Sequence, residues 1–435
     1  MHKPAIRLAD VFHAGFAEYL RDNGPLPAQH YAVANAIMAC RTAALGGHVL
    51  HCQECGHDVI SYNSCRNRHC PTCQARARAQ WVDARTRELL RVPYFHVVFT
   101  VPAQLNPFAL RNKEIFYTIL FAAASQTLAE LGRDDKRLGG ELGCIAVLHT
   151  WGQNLMDHPH LHFIVPGGAL DDDRWVSCNA RDFLFPVKVM AALFRGKFLD
   201  AFKHALDNGD IALCGTLERF RKDPALLRGM IDDLYRTNWV VYAKPPFGGP
   251  KAVVKYLGRY THRIAIADAR IVALTDTHVS FQWKDYADHG RSKIMTLTIV
   301  EFIRRFLYHV VPLHFVRIRY YGFLSVRSRK VKLALCRDQT GGETIDADAL
   351  RIDAPTGPRW APCAVCGSVR MVPIRMIMKY SPWRPEEINV RTARGFNHTI
   401  PPDEDGKSPR YPEPFGKTIK MVPGSITGGI LALAA

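Results

Sequence analysis

Two pairs of side chains in this chain have the types and spacing to do phosphate chemistry together. In Asp157-His158-Pro159-His160-Leu161-His162-Phe163-Ile164-Val165 the residues after the proline read as a β-strand. Alternation then puts His160 and His162 on one face while Leu161 and Phe163 point into a core. Two imidazoles side by side on a rigid strand can grip one metal ion. Nearly a hundred residues on, Lys255-Tyr256-Leu257-Gly258-Arg259-Tyr260-Thr261-His262-Arg263 sets Tyr256 and Tyr260 at i and i+4 of an expected helix, hence on the same face. Each pair alone has a plainer explanation, as half-buried histidines satisfied by backbone groups or as one packed and one solvated tyrosine. Together they suggest metal-assisted attack by a tyrosine. A phenol ordinarily titrates near pH 10. Lys251, Lys255, Arg259 and Arg263 on the same helix, with a metal-bound phosphate, would favour the phenolate.

The cysteines form a second constellation. Cys52 and Cys55 are followed, after fourteen residues, by Cys70 and Cys73. Two CxxC knuckles at this spacing can close a tetrahedral zinc site, so Cys52, Cys55, Cys70 and Cys73 are the expected ligands. Such a site has no open position, and its task is folding. Cys65 and His69 are spares that could replace a ligand or simply pack, and Cys40, inside a helical pattern, reads as a buried thiol. Cys363 and Cys366 look like an isolated knuckle, whose zinc would need Cys336, His398 or a partner chain.

The elements that must position these groups alternate. Residues 8 to 50 read as helical. Tyr94 to Pro102 reads as a buried strand, followed by a helix over about Pro107 to Leu131, a strand from Cys144 to Trp151, and then the histidine strand. Strand, helix, strand, strand begins a ferredoxin-like α+β sandwich with an antiparallel sheet. Phe194, Phe198 and Phe202 repeat every four residues and read as core. A strand at Trp239 to Lys244 leads into the tyrosine helix. Residues Ile264 to Tyr286 suggest a hairpin turning at Thr275-Asp276-Thr277, and Thr298 to His309 a helix. The chain divides into residues 1–91, helical and zinc-binding, residues 92–337, the catalytic unit, and residues 338–435, an extension with the composition of a flexible tail over Thr399 to Glu413.

Composition narrows the function. The 435 residues are 48% hydrophobic and 22% charged, as in ordinary globular proteins. The formal charge of +17 points to a polyanionic partner, nucleic acid before an anionic membrane. Arg66 to Arg91 holds seven arginines against Asp83 and Glu88, a pattern that suits a helix along a phosphate backbone or a solvated helix face. Arg317 to Arg337 holds seven basic residues and no acids, including Arg327, Arg329 and Lys330, with Tyr320, Tyr321 and Phe323 among them. Interleaved cations and rings suit single-stranded nucleic acid. The sequence offers neither an uninterrupted apolar run of bilayer length nor an apolar leader core, so a cytoplasmic protein is expected. Twelve cysteines, six of them between Cys40 and Cys73, suit metal ligands in a reducing compartment.

The order of the motifs resembles one family. Cysteine knuckles, then His149-Thr150-Trp151-Gly152-Gln153-Asn154-Leu155 leading to His158-Pro159-His160-Leu161-His162, then Tyr256-Leu257-Gly258-Arg259-Tyr260-Thr261-His262-Arg263, resemble the two-tyrosine HUH transposases of the insertion-sequence-91 type. The resemblance implies a ferredoxin-like HUH nuclease domain preceded by a small helical zinc-binding domain. It implies that His160 and His162 hold Mg²⁺ or Mn²⁺, that Tyr256 and Tyr260 are the nucleophiles, and that the amino-terminal cysteines hold structural Zn²⁺. It further implies rolling-circle transposition, in which single-stranded DNA at the transposon ends and target is cut and rejoined through a 5′-phosphotyrosine. The third metal ligand stays open among His149, Gln153 and His158. A relaxase or replication initiator with the same chemistry, or a non-catalytic zinc-containing DNA-binding protein, is the alternative.

Overall fold

The computed structural model describes residues 6–178, 184–244, 258, 261, 265–286, 288–341 and 360–379, together with two short strands at Val390–Arg391 and Asn397–His398. The chain opens on α1 (Leu8–Asn23) and α2 (Ala28–Ala39). Asp10 closes the first turn of α1, its carboxylate accepting from the Arg7 amide at 2.8 Å and from the Arg7 guanidinium at 3.1 Å. A hairpin of β1 (Gly47–Cys52) and β2 (Asp58–Tyr62) follows, then α3 (Pro71–Arg87), which Pro71 starts with its ring in the first turn.

The central unit then runs β3 (Tyr94–Thr100), α4 (Asn106–Arg111), α5 (Lys113–Arg133), β4 (Cys144–Trp151), β5 (Asp157–Pro166), a small hairpin of β6 (Gly168–Asp171) and β7 (Arg174–Ser177), α6 (Val187–Asp207), α7 (Glu218–Lys222), α8 (Pro224–Arg236) and β8 (Val241–Lys244). After these come β9 (Ile271–Leu274), β10 (His278–Asp285) and β11 (Arg291–Thr298), which make a three-stranded sheet, then α9 (Ile299–Tyr308), β12 (Ile318–Tyr321), α10 (Arg329–Thr340) and β13 (Met371–Ile377). Thr298 caps α9 by accepting from the Glu301 amide, which sets a sharp strand-to-helix corner.

The main sheet has the order β12-β4-β5-β3-β8, and every neighbouring pair is antiparallel. The first strand of the unit, β3, lies between β5 and β8, the split arrangement that the α+β expectation called for. Alternation assigns the two faces. Phe95, Val97, Phe99, Ala146, Leu148, Leu161, Phe163, Val165 and Val241 pack in one core with α5 and α6, where Phe194, Phe198 and Phe202 are fully buried. Among the described residues α5 is the one helix long and apolar enough to cross a bilayer, and most of it is buried in this core.

The opposite face is covered in two pieces. At one end Tyr94, Ile145 and Ile164 pack with Trp81 of α3 and with Phe323, Leu333 and Cys336. Beyond the other end, Trp151 and Leu155 join α1, α2, α9 and the β9–β11 sheet in a separate core. The histidines lie on this face between the two coverings. A third sheet, also of three strands, pairs β13, β1 and β2 in that order, with Leu50, Cys52, Cys363 and Met371 buried and Trp360 packed against them.

Candidate catalytic and metal-binding sites

The β4–β5 register sets His149 directly opposite His160, and His162 stands two residues along the same face. Ligating atoms from the three rings lie within 4.8 Å of one another. Their ring centroids are 5.2 Å apart for His149 and His160, 4.2 Å for His149 and His162, and 4.8 Å for His160 and His162. Of the three candidates for a third ligand, His149 is therefore the one whose ring nitrogen joins the pair. The His158 side chain is exposed, and its carbonyl accepts from His160 Nδ1 at 2.6 Å. Gln153 is not among the grouped ligands, and its carbonyl accepts from Arg270 at 2.5 Å.

Neighbouring groups orient these rings. Donation from His160 Nδ1 leaves Nε2 to face a metal. His162 Nδ1 lies 2.7 Å from Nε2 of His96 on β3, so with the proton on His162 Nδ1 the ligating nitrogen of His162 is again Nε2. Burial, reinforced by His158, pushes His160 down to about 3. Burial and the neighbouring His149 and His160 hold His162 well below the ordinary imidazole range. Neutral imidazoles are the form that coordinates metal. The β4–β5 turn that carries the histidines is pinned from outside. Arg305 donates to the Asn154 carbonyl at 3.0 Å, and His309 donates from Nε2 to the Leu155 carbonyl at 3.0 Å while Thr150 lies 3.1 Å from its Nδ1.

Sequence reasoning did not single out His96, although its place in an alternating strand put it on a definite face. It placed the strand that becomes β8 but gave no role to Tyr242 or Lys244, which alternate there with the core residues Val241 and Ala243. Lys244 is paired in register with His96, and its charge adds to burial in lowering His96 to about 4. Tyr256 and Tyr260, with Lys251, Lys255, Arg259 and Arg263, lie outside the described residues. Gly258 between them is described and sits hard against α3. A Cβ on Gly258 would come 2.1 Å from Cγ2 of Val82, and Thr261 donates to the Gly258 carbonyl at 3.3 Å.

The cysteines correct the expected zinc set. Cys52, Cys55, Cys70 and Cys73 do not converge. Cys70 and Cys73 group with Cys40 and Cys65, and Cys52 and Cys55 group with Cys363 and Cys366. Chain geometry explains the split. Cys70 and Cys73 begin α3, which turns them toward Cys40 at the end of α2, whereas Cys52 ends β1 and is carried to the edge where β13 pairs. Cys40 and Cys65 each lie 3.5 Å from the Cys73 sulfur. His69 packs instead, its Nδ1 at 3.0 Å from the Asn67 side chain and its Nε2 accepting from the Val311 amide at 3.4 Å. Cys336 is buried in the core under α10, apart from either group.

The basic and aromatic stretch is also corrected. Tyr320 is not a stacking platform. Its hydroxyl accepts from Trp81 at 3.2 Å and Arg85 at 2.6 Å, and the Arg85 and Arg329 guanidinium carbons each lie 5.4 Å from its ring centroid. Phe323 is fully buried, and Tyr321 packs near Phe163. Arg329 also lies 3.5 Å from Glu88, while Arg327 and Lys330 are exposed. On α3 the inner side packs through Trp81 and Arg85, and Arg76 and Arg87 are exposed.

An HxH strand completed by a third histidine, beside a domain with thiol clusters suited to zinc, can be set against known proteins. Residues 143–332 match the family described as "Putative transposase", and residues 11–101 match the family described as "Transposase zinc-binding domain". The chain is 45% identical over 386 residues to "Putative transposase y4qJ" of Sinorhizobium fredii (strain NBRC 101917 / NGR234), covering 86% of this chain and 96% of that protein. It is 27% identical over 327 residues to "Transposase for insertion sequence element IS801" of Pseudomonas savastanoi pv. phaseolicola, covering 71% of this chain and 73% of that protein. No solved structure matches. The chain belongs to the transposases of the insertion-sequence-91 type, enzymes that act on DNA.

Proposed function

We propose that this transposase cuts and rejoins single-stranded DNA through a tyrosine–phosphate ester, as rolling-circle transposition requires. The observation that carries the reading is the convergence of His149, His160 and His162 on one face of the sheet. These three would hold a divalent ion, which when bound would polarise the scissile phosphate and offset the charge developed in the transition state. A donor set of three neutral imidazoles favours Mn²⁺ or a later transition ion over Mg²⁺, which prefers oxygen. His96 and the His158 carbonyl would keep the ligating nitrogens aimed.

Tyr256 or Tyr260 would supply the nucleophile. Its phenolate attacks phosphorus, the phosphotyrosyl bond forms as the bond to the 3′-oxygen breaks, and that oxygen takes up a proton. Energy of the phosphodiester is conserved, so no nucleotide cofactor is needed, and a second tyrosine permits a second cut before the first is released. Lys251, Lys255, Arg259 and Arg263 on the tyrosine segment, with exposed Arg327 and Lys330, would hold backbone phosphates. In the amino-terminal domain, Cys40, Cys65, Cys70 and Cys73 would hold structural zinc.

The test is a denaturing gel with labelled single-stranded DNA carrying the element's ends, run with Mn²⁺, with chelator, and with Tyr256→Phe, Tyr260→Phe and the double variant. A covalent band that needs metal and disappears in the double variant is the expected result. Protein that binds the DNA and never becomes attached overturns the reading.

A further inference from the structure

The group formed by Cys52, Cys55, Cys363 and Cys366 is left over from this chemistry, and two of its members lie far outside the residues 11–101 that match the zinc-binding domain. It is built from two knuckles of the same design. In each, a glycine follows the second cysteine in the left-handed region, Gly56 at φ 74° and Gly367 at φ 73°. The amide of each glycine donates to the carbonyl of the first cysteine at 2.9 Å, in both cases. The amide of each first cysteine donates to a carbonyl five residues on, Cys52 to His57 at 2.9 Å and Cys363 to Ser368 at 2.8 Å. Such turns point both sulfurs of a knuckle the same way.

Across the gap the sulfurs of Cys52 and Cys366 are 3.5 Å apart and those of Cys55 and Cys363 are 3.6 Å apart. These separations are far beyond a disulfide bond of about 2 Å. They are close to the edge of about 3.8 Å expected for a tetrahedron whose zinc–sulfur bonds are about 2.3 Å.

What surrounds the group gives a metal a structural task. The β13 strand pairs with β1 from Gly47 opposite Ile377 to Cys52 opposite Met371. Beneath this pairing, the described residues offer a core of only Leu50, Cys52, Cys363 and Met371, with Trp360 against it. A unit with so small a core does not hold itself together by apolar burial, and a structural metal is the usual remedy. We infer that Cys52, Cys55, Cys363 and Cys366 bind a second structural zinc, which clasps residues 360–379 onto the amino-terminal hairpin. The histidine and tyrosine chemistry plays no part in this inference. Because Cys55 and Cys366 are exposed, this zinc is the one that a chelator reaches first.

Metal analysis of the full chain tests the clasp. Zinc content is measured for the wild type, for Cys363→Ser/Cys366→Ser and for Cys70→Ser/Cys73→Ser, with hydrogen exchange followed over 371–377. Each double variant is expected to lose one zinc per chain, and the first is expected to lose amide protection in β13 as well. Wild-type zinc content in Cys363→Ser/Cys366→Ser overturns the inference. A cobalt titration of the unaltered, metal-stripped chain keeps the test open if a variant fails to fold. Two equivalents giving thiolate-to-cobalt absorption support the clasp, and saturation of that absorption at one equivalent overturns it.

Discussion

His96 Nε2 lies 2.7 Å from His162 Nδ1, with the two rings nearly parallel at an interplanar angle of 7°. This contact joins β3 to the histidine pair on β5 and, with the proton on His162 Nδ1, would leave Nε2 of His162 to face a bound metal. His96→Ala is expected to raise the Mn²⁺ concentration needed for half-maximal cleavage by about 10- to 100-fold, the range for loss of a partner that orients a ligand. Saturating metal should recover much of the rate. A metal titration of covalent-adduct formation checks it, and an unchanged requirement with a lower plateau would speak against a positioning role.

The register that pairs His149 with His160 makes a sharper claim on the third ligand. His149→Ala should abolish metal-dependent cleavage at low-millimolar Mn²⁺, while Gln153→Ala and His158→Ala, whose side chains do not join the three-histidine group, should keep it within a few-fold. Calorimetric titration of Mn²⁺ into each variant separates binding from chemistry.

The close approach of Gly258 to Val82 leaves no space for a side chain. Gly258→Ala should destabilise the packing by about 1–3 kcal/mol and reduce adduct formation, because the tyrosines flank this position. Val82→Ala in the same chain should restore part of both losses. Thermal midpoints and adduct yields of the single and double variants provide the measurement, and strictly additive losses would dissociate the two residues.

Asp157 gives a pH-dependent prediction. Its carboxylate oxygens are buried without a hydrogen-bond partner, and burial pushes its pKa up to about 7 despite the opposing charge of Lys113. The folded chain thus holds a proton that the unfolded chain releases near pH 4. This group's favourable contribution is complete below about pH 4 and is lost as pH rises through 7. Asp157→Asn should therefore raise stability relative to wild type more at pH 8 than at pH 5, by on the order of a few kcal/mol. Denaturation midpoints at the two pH values would reveal it, and a gap that stays constant with pH would refute it.

The histidine-bearing sheet was largely legible in the sequence because alternation is a local signal. Leu161 and Phe163 had to face a core if His160 and His162 faced away, and the phenylalanine repeat on α6 could be read the same way. What was hidden depends on pairing between distant segments. Which of His149, Gln153 and His158 meets the pair follows from the β4–β5 register. The partners of Cys52 follow from β13, more than three hundred residues away, and no spacing rule reaches that far. Tyr320 was misread for a related reason, since two of its partners, Trp81 and Arg85, are supplied by the distant α3. Sequence proximity of basic and aromatic residues could not distinguish a surface from an interior contact.

The pairing of Cys52 with Cys366 and of Cys55 with Cys363 also bears on how the chain is made. During synthesis the amino-terminal knuckle emerges from the ribosome more than three hundred residues before the cysteines that complete its group. A product that stops after residue 341 and before Cys363 would carry His149, His160, His162, Tyr256 and Tyr260 but only Cys52 and Cys55 of this thiolate set. Joining the two thiolate pairs therefore requires a chain synthesised at least as far as Cys366.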